Sequence, residues 1–252
     1  RINTLDYEIY KTIQQKLIDR LDRAEHVVIT GKGDNHTNLK VMLHPLSNPD
    51  SQTNFENCVA DVNIPLGEVF TSPVLKGTNG ILQVSSVYIG DIQFQDLKLE
   101  FCDGMVKEYS CANFPAPLQG KALIKQMILK NHDSLPMGEY AIGTNTTAYA
   151  MAQKFGIVDR LPILIVEKMG PHFAVGDTCY SWSEDSAVYN PDGKEVIARD
   201  NEVSALRKTD LVKAYFNCHT DITIPYSELS EIYGVTREGK KLPILAEGRF
   251  VV

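Results

Sequence analysis

The stretch Gly80-Ile81-Leu82-Gln83-Val84-Ser85-Ser86-Val87-Tyr88-Ile89-Gly90-Asp91-Ile92-Gln93-Phe94-Gln95-Asp96-Leu97-Lys98-Leu99-Glu100-Phe101-Cys102-Asp103-Gly104-Met105-Val106-Lys107-Glu108-Tyr109-Ser110-Cys111 decides the fold class. Apolar side chains recur against polar ones at Ile81, Val84, Val87, Ile89, Ile92, Phe94, Leu97, Leu99 and Phe101. Alternation of this kind is the signature of strands with one buried face. Gly90-Asp91 and Asp103-Gly104 are turn pairs, so the segment predicts three antiparallel strands joined by tight hairpins.

Working outward, apolar residues at Ile9, Ile13, Leu17 and Leu21 predict an amphipathic helix from Leu5 to Ala24. His26 to Thr30 and Asn38 to Leu43 read as a hairpin. Gly31-Lys32-Gly33 lacks the third glycine and following helix of a phosphate loop, so it reads as a turn. Residues 44–57 are polar and read as a surface loop. Downstream, residues 118–132 predict a helix, Pro136 and Gly138 break it, and Thr146 to Phe155 predicts another with Gly156 as its cap. Leu161 to Val166 has the pattern of a strand buried on both faces. Val203 to Asn217 mixes helix and strand, Tyr226 to Ile232 reads as helical, and Leu242 to Ala246 closes the chain. Strands outnumber helices, which favours an α+β fold with a mixed, largely antiparallel sheet and flanking helices.

At 252 residues the chain can bury a proper core, and 43% hydrophobic with 23% charged residues is ordinary for a globular protein. A formal charge of -7, with no Lys/Arg cluster, argues against a nucleic-acid partner. No apolar run approaches the roughly 20 residues of a membrane span and no secretory signal opens the chain. Cys58, Cys102, Cys111, Cys179 and Cys218 are odd in number and lack C-x-x-C spacing, which fits a reduced, cytoplasmic setting. The opening Arg1 suggests the C-terminal portion of a longer protein, with residues 1–252 as one catalytic domain.

Six residues stand out as hard donors: Glu68, Glu139, Glu167, His172, His219 and Asp221. Each alone has a plain structural reading, as an exposed turn (Glu68), a helix-start carboxylate (Glu139) or a strand-end charge (Glu167). His219-Thr220-Asp221 is more pointed, because residues two apart on an extended segment share a face. Four carboxylates and two imidazoles are the oxygen and nitrogen donors that two divalent ions require. His26, His36, His44 and His132 sit in strand-start, turn or helix-end settings and read as structural or exposed.

Taken in order, the chain resembles the bacterial metal-dependent aminopeptidases typified by aminopeptidase T of thermophiles. The likeness runs through Gly33-Asp34-Asn35-His36-Thr37-Asn38-Leu39 and Asn63-Ile64-Pro65-Leu66-Gly67-Glu68-Val69-Phe70-Thr71-Ser72-Pro73. It continues through Gly138-Glu139-Tyr140-Ala141-Ile142-Gly143-Thr144-Asn145 and residues 167–176 to His219-x-Asp221. That resemblance implies a two-metal site held by Glu68, Glu139, Glu167, His172, His219 and Asp221, and a peptide substrate trimmed at its N-terminus. It implies zinc, cobalt or manganese, a homodimer, and a larger N-terminal domain that this chain lacks. It also implies an active-site tyrosine shortly after the first histidine, for which Tyr180, displaced by one residue, is the nearest equivalent. Glu68 or Glu139 would then carry the water's proton and Tyr180 would face the oxyanion. Two other readings stand beside it: a non-catalytic peptide-binding or oligomerisation domain of the same fold, and a cysteine hydrolase using Cys218 or Cys179 with His172. No nucleophile signature surrounds either cysteine.

Overall fold

The structure, a computed structural model, describes residues 6–59, 66–158 and 160–252. Leu5 of the expected first helix and residues 63–65 of the resemblance motif lie outside the described residues. The described strands begin with β1 (His26–Gly31), β2 (Asn38–Met42), β3 (Gln52–Thr53), β4 (Glu56–Cys58), β5 (Glu68–Thr71), β6 (Val74–Ile89), β7 (Ile92–Cys102) and β8 (Met105–Ser110). They continue with β9 (Met137–Gly143), β10 (Pro171–Gly176), β11 (Glu195–Val196), β12 (His219–Thr223), β13 (Leu229–Val235), β14 (Lys241–Ala246) and β15 (Arg249–Phe250).

An eight-stranded antiparallel sheet runs in the order β15-β14-β13-β1-β2-β6-β7-β8. A five-stranded antiparallel sheet runs β12-β10-β9-β5-β4. A short parallel pair, β11 with β3, is the exception. The α+β reading therefore holds. The alternating stretch at 80–111 forms β6, β7 and β8 as expected, although β6 starts six residues before Gly80. Register sets Leu82 against Leu99 and Val87 against Phe94, and all four side chains are buried in the core. Asp103 and Gly104 both take positive φ, as a tight two-residue hairpin with right-handed strand twist requires.

Helix α1 (Tyr7–Leu21) starts where Asp6 accepts hydrogen bonds from the amides of Glu8 and Ile9 at 2.9 and 3.2 Å. Its buried side is Tyr10, Gln14, Leu17, Ile18 and Leu21; Ile9 and Ile13 face outward. Leu17, Ile18 and Leu21 join one continuous core with Val84 and Leu97 of the large sheet and Val69, Tyr140, Ile142, Phe173, Val175 and Ile222 of the small one. Each such burial stabilises by roughly 1.5–3 kcal/mol, and together these contacts glue the small sheet to the large one by one face only.

Further helices are α2 (Pro117–Met127), α3 (Thr146–Phe155), α4 (Ile163–Val166) and α5 (Leu211–Ala214). The expected helix at 118–132 ends early, at Met127. α3 closes on Gly156 in the left-handed conformation, as its sequence requires. Four expectations are corrected. The 161–166 run is a one-turn helix following Pro162, with Leu164 half exposed; six apolar residues are too few for periodicity to separate helix from buried strand. Residues 226–232 form a 3-10 turn (Tyr226–Glu228) followed by β13, because pairing with both β1 and β14 outweighs local preference. The 203–217 segment contains a 3-10 turn and α5 but no strand, and the 44–57 loop contributes β3, β4 and the fully buried Phe55.

Candidate metal centre

Strand alternation builds the site. With one face of the small sheet committed to the core, the residues between the core positions point the other way. On β5 these are Glu68 and Phe70; on β9, Glu139 and Ala141; on β10, His172 and Ala174; on β12, His219 and Asp221. Register then brings them level. Ala174 lies between Glu139 on β9 and Asp221 on β12, and Ala141 lies beside His172 and Phe70. The two alanines leave space where larger side chains would keep the donors apart.

Glu167 and Lys168 arrive separately, on a 3-10 turn (Glu167–Met169) that docks on the end of β9. The amides of Gly143 and Asn145 donate to the carbonyls of Gly170 and Lys168, each at 2.9 Å. A side chain at Gly143 would stand 2.3 Å from the Glu167 carbonyl oxygen, so only glycine admits this approach.

The donors line a cavity of about 310 Å³ that also includes Glu56, Cys58, Phe70, Leu164 and Cys179. His172 Nε2 lies 3.4 Å from Glu68 Oε2 and 3.6 Å from Glu139 Oε1. His219 Nε2 lies 3.1 Å from Glu139 Oε2 and 3.4 Å from Asp221 Oδ1. Glu139 thus gives one oxygen to each imidazole. The Nδ1–H of His219 donates to the Asp177 carbonyl at 2.7 Å, and His172 Nδ1 faces the Gly170 carbonyl at 3.5 Å, so both rings direct Nε2 inward. The buried Lys168 ammonium pairs with Glu68 Oε1 and, at 2.9 Å, with Glu167 Oε1.

The electrostatics follow from burial. Desolvation alone would protonate Glu68 and Glu139, yet His172 with Lys168 and His172 with His219, respectively, hold both below the usual carboxylate range. Burial disfavours the imidazolium and ammonium forms too, but the carboxylates outweigh it and raise His172, His219 and Lys168. Glu167 is pushed up, chiefly by burial. Four carboxylates therefore face one ammonium and two imidazolium groups, close to neutrality.

Two carboxylate oxygens in this cluster, Glu68 Oε2 and Asp221 Oδ1, are buried with no hydrogen bond, each facing only a histidine Nε2 at 3.4 Å. Orphaned carboxylate oxygens beside inward-facing imidazole nitrogens are the donor chemistry of a divalent cation site. Among the described residues, two donor triads have their ligand atoms within 4.8 Å of one another: Glu139–His172–Asp221 and Glu139–Cys179–His219. The residues fit a metal.

Of the residues singled out from sequence, Glu139, His172, His219 and Asp221 form the tight group, Glu68 adjoins it through His172, and Glu167 reaches it through Lys168. Tyr180 turns aside: its hydroxyl donates to Glu56 Oε2 at 2.6 Å and its ring packs on Phe70. Its neighbour Cys179 lines the cavity instead. Lys168 escaped the sequence reading, although a lysine between Ile-Leu-Ile-Val-Glu and Met-Gly is a charge in an apolar setting and could have been flagged.

A face of imidazoles and carboxylates inside a cavity is a metallohydrolase type of site. The chain belongs to the thermophilic metalloprotease (M29) family, whose sequence pattern matches residues 6–250. Its fold is similar to that of wild-type AmpT from Thermus thermophilus, with a TM-score of 0.66 and 20% identity over 98% of this chain. The chain spans 55% of that protein's length. Among curated proteins, none matches.

Proposed function

We propose that this chain is the catalytic portion of a metal-dependent aminopeptidase that releases N-terminal residues from peptides. In this reading Glu68, Glu139, Glu167, His172, His219 and Asp221 hold two divalent ions, with zinc, cobalt or manganese all compatible with the donors. One observation carries it: donors from four strands and a turn converge on one cavity, with two anionic oxygens left unsatisfied. Family membership supports the same chemistry. When bound, such ions polarise a scissile carbonyl and acidify water.

The chain's own residues do the rest. Glu139, shared between the two histidines, keeps both rings in place. Glu68 is the proton carrier: Lys168 anchors Oε1, and Oε2, beside His172 Nε2, takes a proton from water and passes it to the departing amine. Glu56, held by Tyr180, lends the cavity a carboxylate that favours the substrate's N-terminal ammonium. Phe70 and Leu164 supply apolar surface for its side chain. A homodimer belongs to this reading and is checked by sedimentation.

The test is metal analysis together with release of an aminoacyl chromophore, before and after chelation. Glu139→Gln and His219→Ala should each lose metal and turnover; full retention of both by both variants would refute the ligand assignment.

A further inference from the structure

Among the cavity donors that the two-metal reading leaves unused, Cys179 is the one grouped with Glu139 and His219. Cys179 follows β10 in Gly176-Asp177-Thr178-Cys179, and this segment is tied down on both sides of the thiol. The Asp177 amide donates to the Cys218 carbonyl at 2.8 Å, its carboxylate accepts from the Phe216 amide at 2.7 Å, and its carbonyl takes the His219 Nδ1–H. On the far side, the Tyr180 hydroxyl is bound to Glu56. Cys179 is an exposed residue that lines the cavity, and its sulfur sits within 4.8 Å of donor atoms of both Glu139 and His219.

The geometry does not suit a thiol nucleophile. A Cys–His relay needs the thiol to hold one ring nitrogen without competing carboxylates, while a third group orients the ring from the other. Here the Asp177 carbonyl occupies Nδ1, so the thiol, Glu139 Oε2 and Asp221 Oδ1 are all left to the same nitrogen, Nε2. Several donors crowding one imidazole nitrogen describe a place for a cation. Glu139 is built to serve two such places, since Oε1 faces His172 and Oε2 faces His219.

We propose that Cys179 is a metal ligand, and that Glu139, Cys179 and His219 form a sulfur-containing position beside the all-oxygen-and-nitrogen position of Glu139, His172 and Asp221. This deepens the aminopeptidase reading and rests on it. Soft thiolate selects zinc-class ions over manganese or magnesium, whereas the neighbouring position takes harder ions readily. On ligation the S–H bond breaks, a sulfur–metal bond forms, and the proton leaves to solvent, so loading releases one proton per thiol. The two positions then differ in metal preference by design of the donor set.

Cobalt(II) titration of the whole chain tests this by absorbance, independently of turnover. Wild-type protein should bind two equivalents, one of them with a thiolate-to-cobalt charge-transfer band in the near ultraviolet. Cys179→Ser should lose that band, keep the other equivalent, and bind zinc roughly 10- to 100-fold more weakly at the lost position, with manganese binding little changed. Cys58→Ser should keep the band, because Cys58 shares the cavity but neither triad. Two bound equivalents without the band, or a band that survives in Cys179→Ser, would overturn the assignment while leaving the two-metal reading standing. No cobalt binding at all would overturn both. Should the serine variant fold poorly, zinc protection of Cys179 from iodoacetamide in the wild-type chain, read by peptide mass, supplies the same answer; equal labelling with and without zinc counts against ligation.

Discussion

Lys168 shows how a single side chain sets the character of this centre. Its ammonium is 1% exposed and pairs with two buried carboxylates, Glu68 and Glu167. Removing one partner of a buried ion pair leaves uncompensated charge at a cost of about 3–5 kcal/mol. Lys168→Met should therefore lower the melting temperature markedly in chelator and less in saturating metal, where cations take over part of the compensation. Equal losses in both conditions in thermal unfolding would contradict this. Asp22, remote from the cavity, provides a pH test. Burial pushes its carboxyl up to about 6, even though the Asn54 amide donates to Oδ1 at 2.8 Å, and its Oδ2 has no partner. The folded state thus holds this proton more tightly than the unfolded chain. The sign follows: Asp22's contribution is most favourable below about pH 4 and is lost as pH rises through about 6, by up to ~3 kcal/mol at ~1.4 kcal/mol per unit. Urea unfolding of wild type and Asp22→Asn at pH 4.5 and 7 should show the variant gaining on wild type at the higher pH.

At the scale of elements, β10 is the strand on which the site depends. It is paired on both sides, fully buried, and carries His172 and Ala174 on the cavity face with Phe173 and Val175 in the core. Ala174→Val would insert two methyl groups between Glu139 and Asp221, at an overpacking cost of about 1–3 kcal/mol. The expected outcome is a folded protein, judged by circular dichroism, with metal affinity lowered at least about tenfold by titration. Unchanged affinity would mean that the gap between these strands plays no part in holding ions. Elements that announced themselves had strong local signals: the 80–111 hairpins through alternation and paired turn residues, α3 through its Gly156 cap. Those misread had none. Ile163–Val166 is too short for its period to be told, and Leu229–Val235 becomes a strand through partners that lie far away in the chain.

At the scale of the whole molecule, the two large antiparallel sheets of the described residues are fused through one core, leaving the outer face of the smaller sheet for acid-rich chemistry. A divalent ion held by these converging side chains binds the folded chain and not the unfolded one, so metal loading and folding are coupled. Metal at 100 times its dissociation constant should add about 2.7 kcal/mol of stability, and chelation should lower the melting temperature by roughly 5–10 °C at the ~2–4 °C per kcal/mol expected for this size. Scanning calorimetry with and without chelator measures this directly. What the sequence determined by itself was the inventory and its local order: antiparallel strands, the principal turns, and a set of candidate donors, all read from neighbours a few residues apart. Only the tertiary structure decided which donors meet, that Lys168 lies among them, and that Cys179 rather than Tyr180 faces the cavity. Those outcomes depend on strand register and burial across separations such as Glu68 to His172 and Glu139 to His219. No local pattern encodes which face of a strand the rest of the chain will cover.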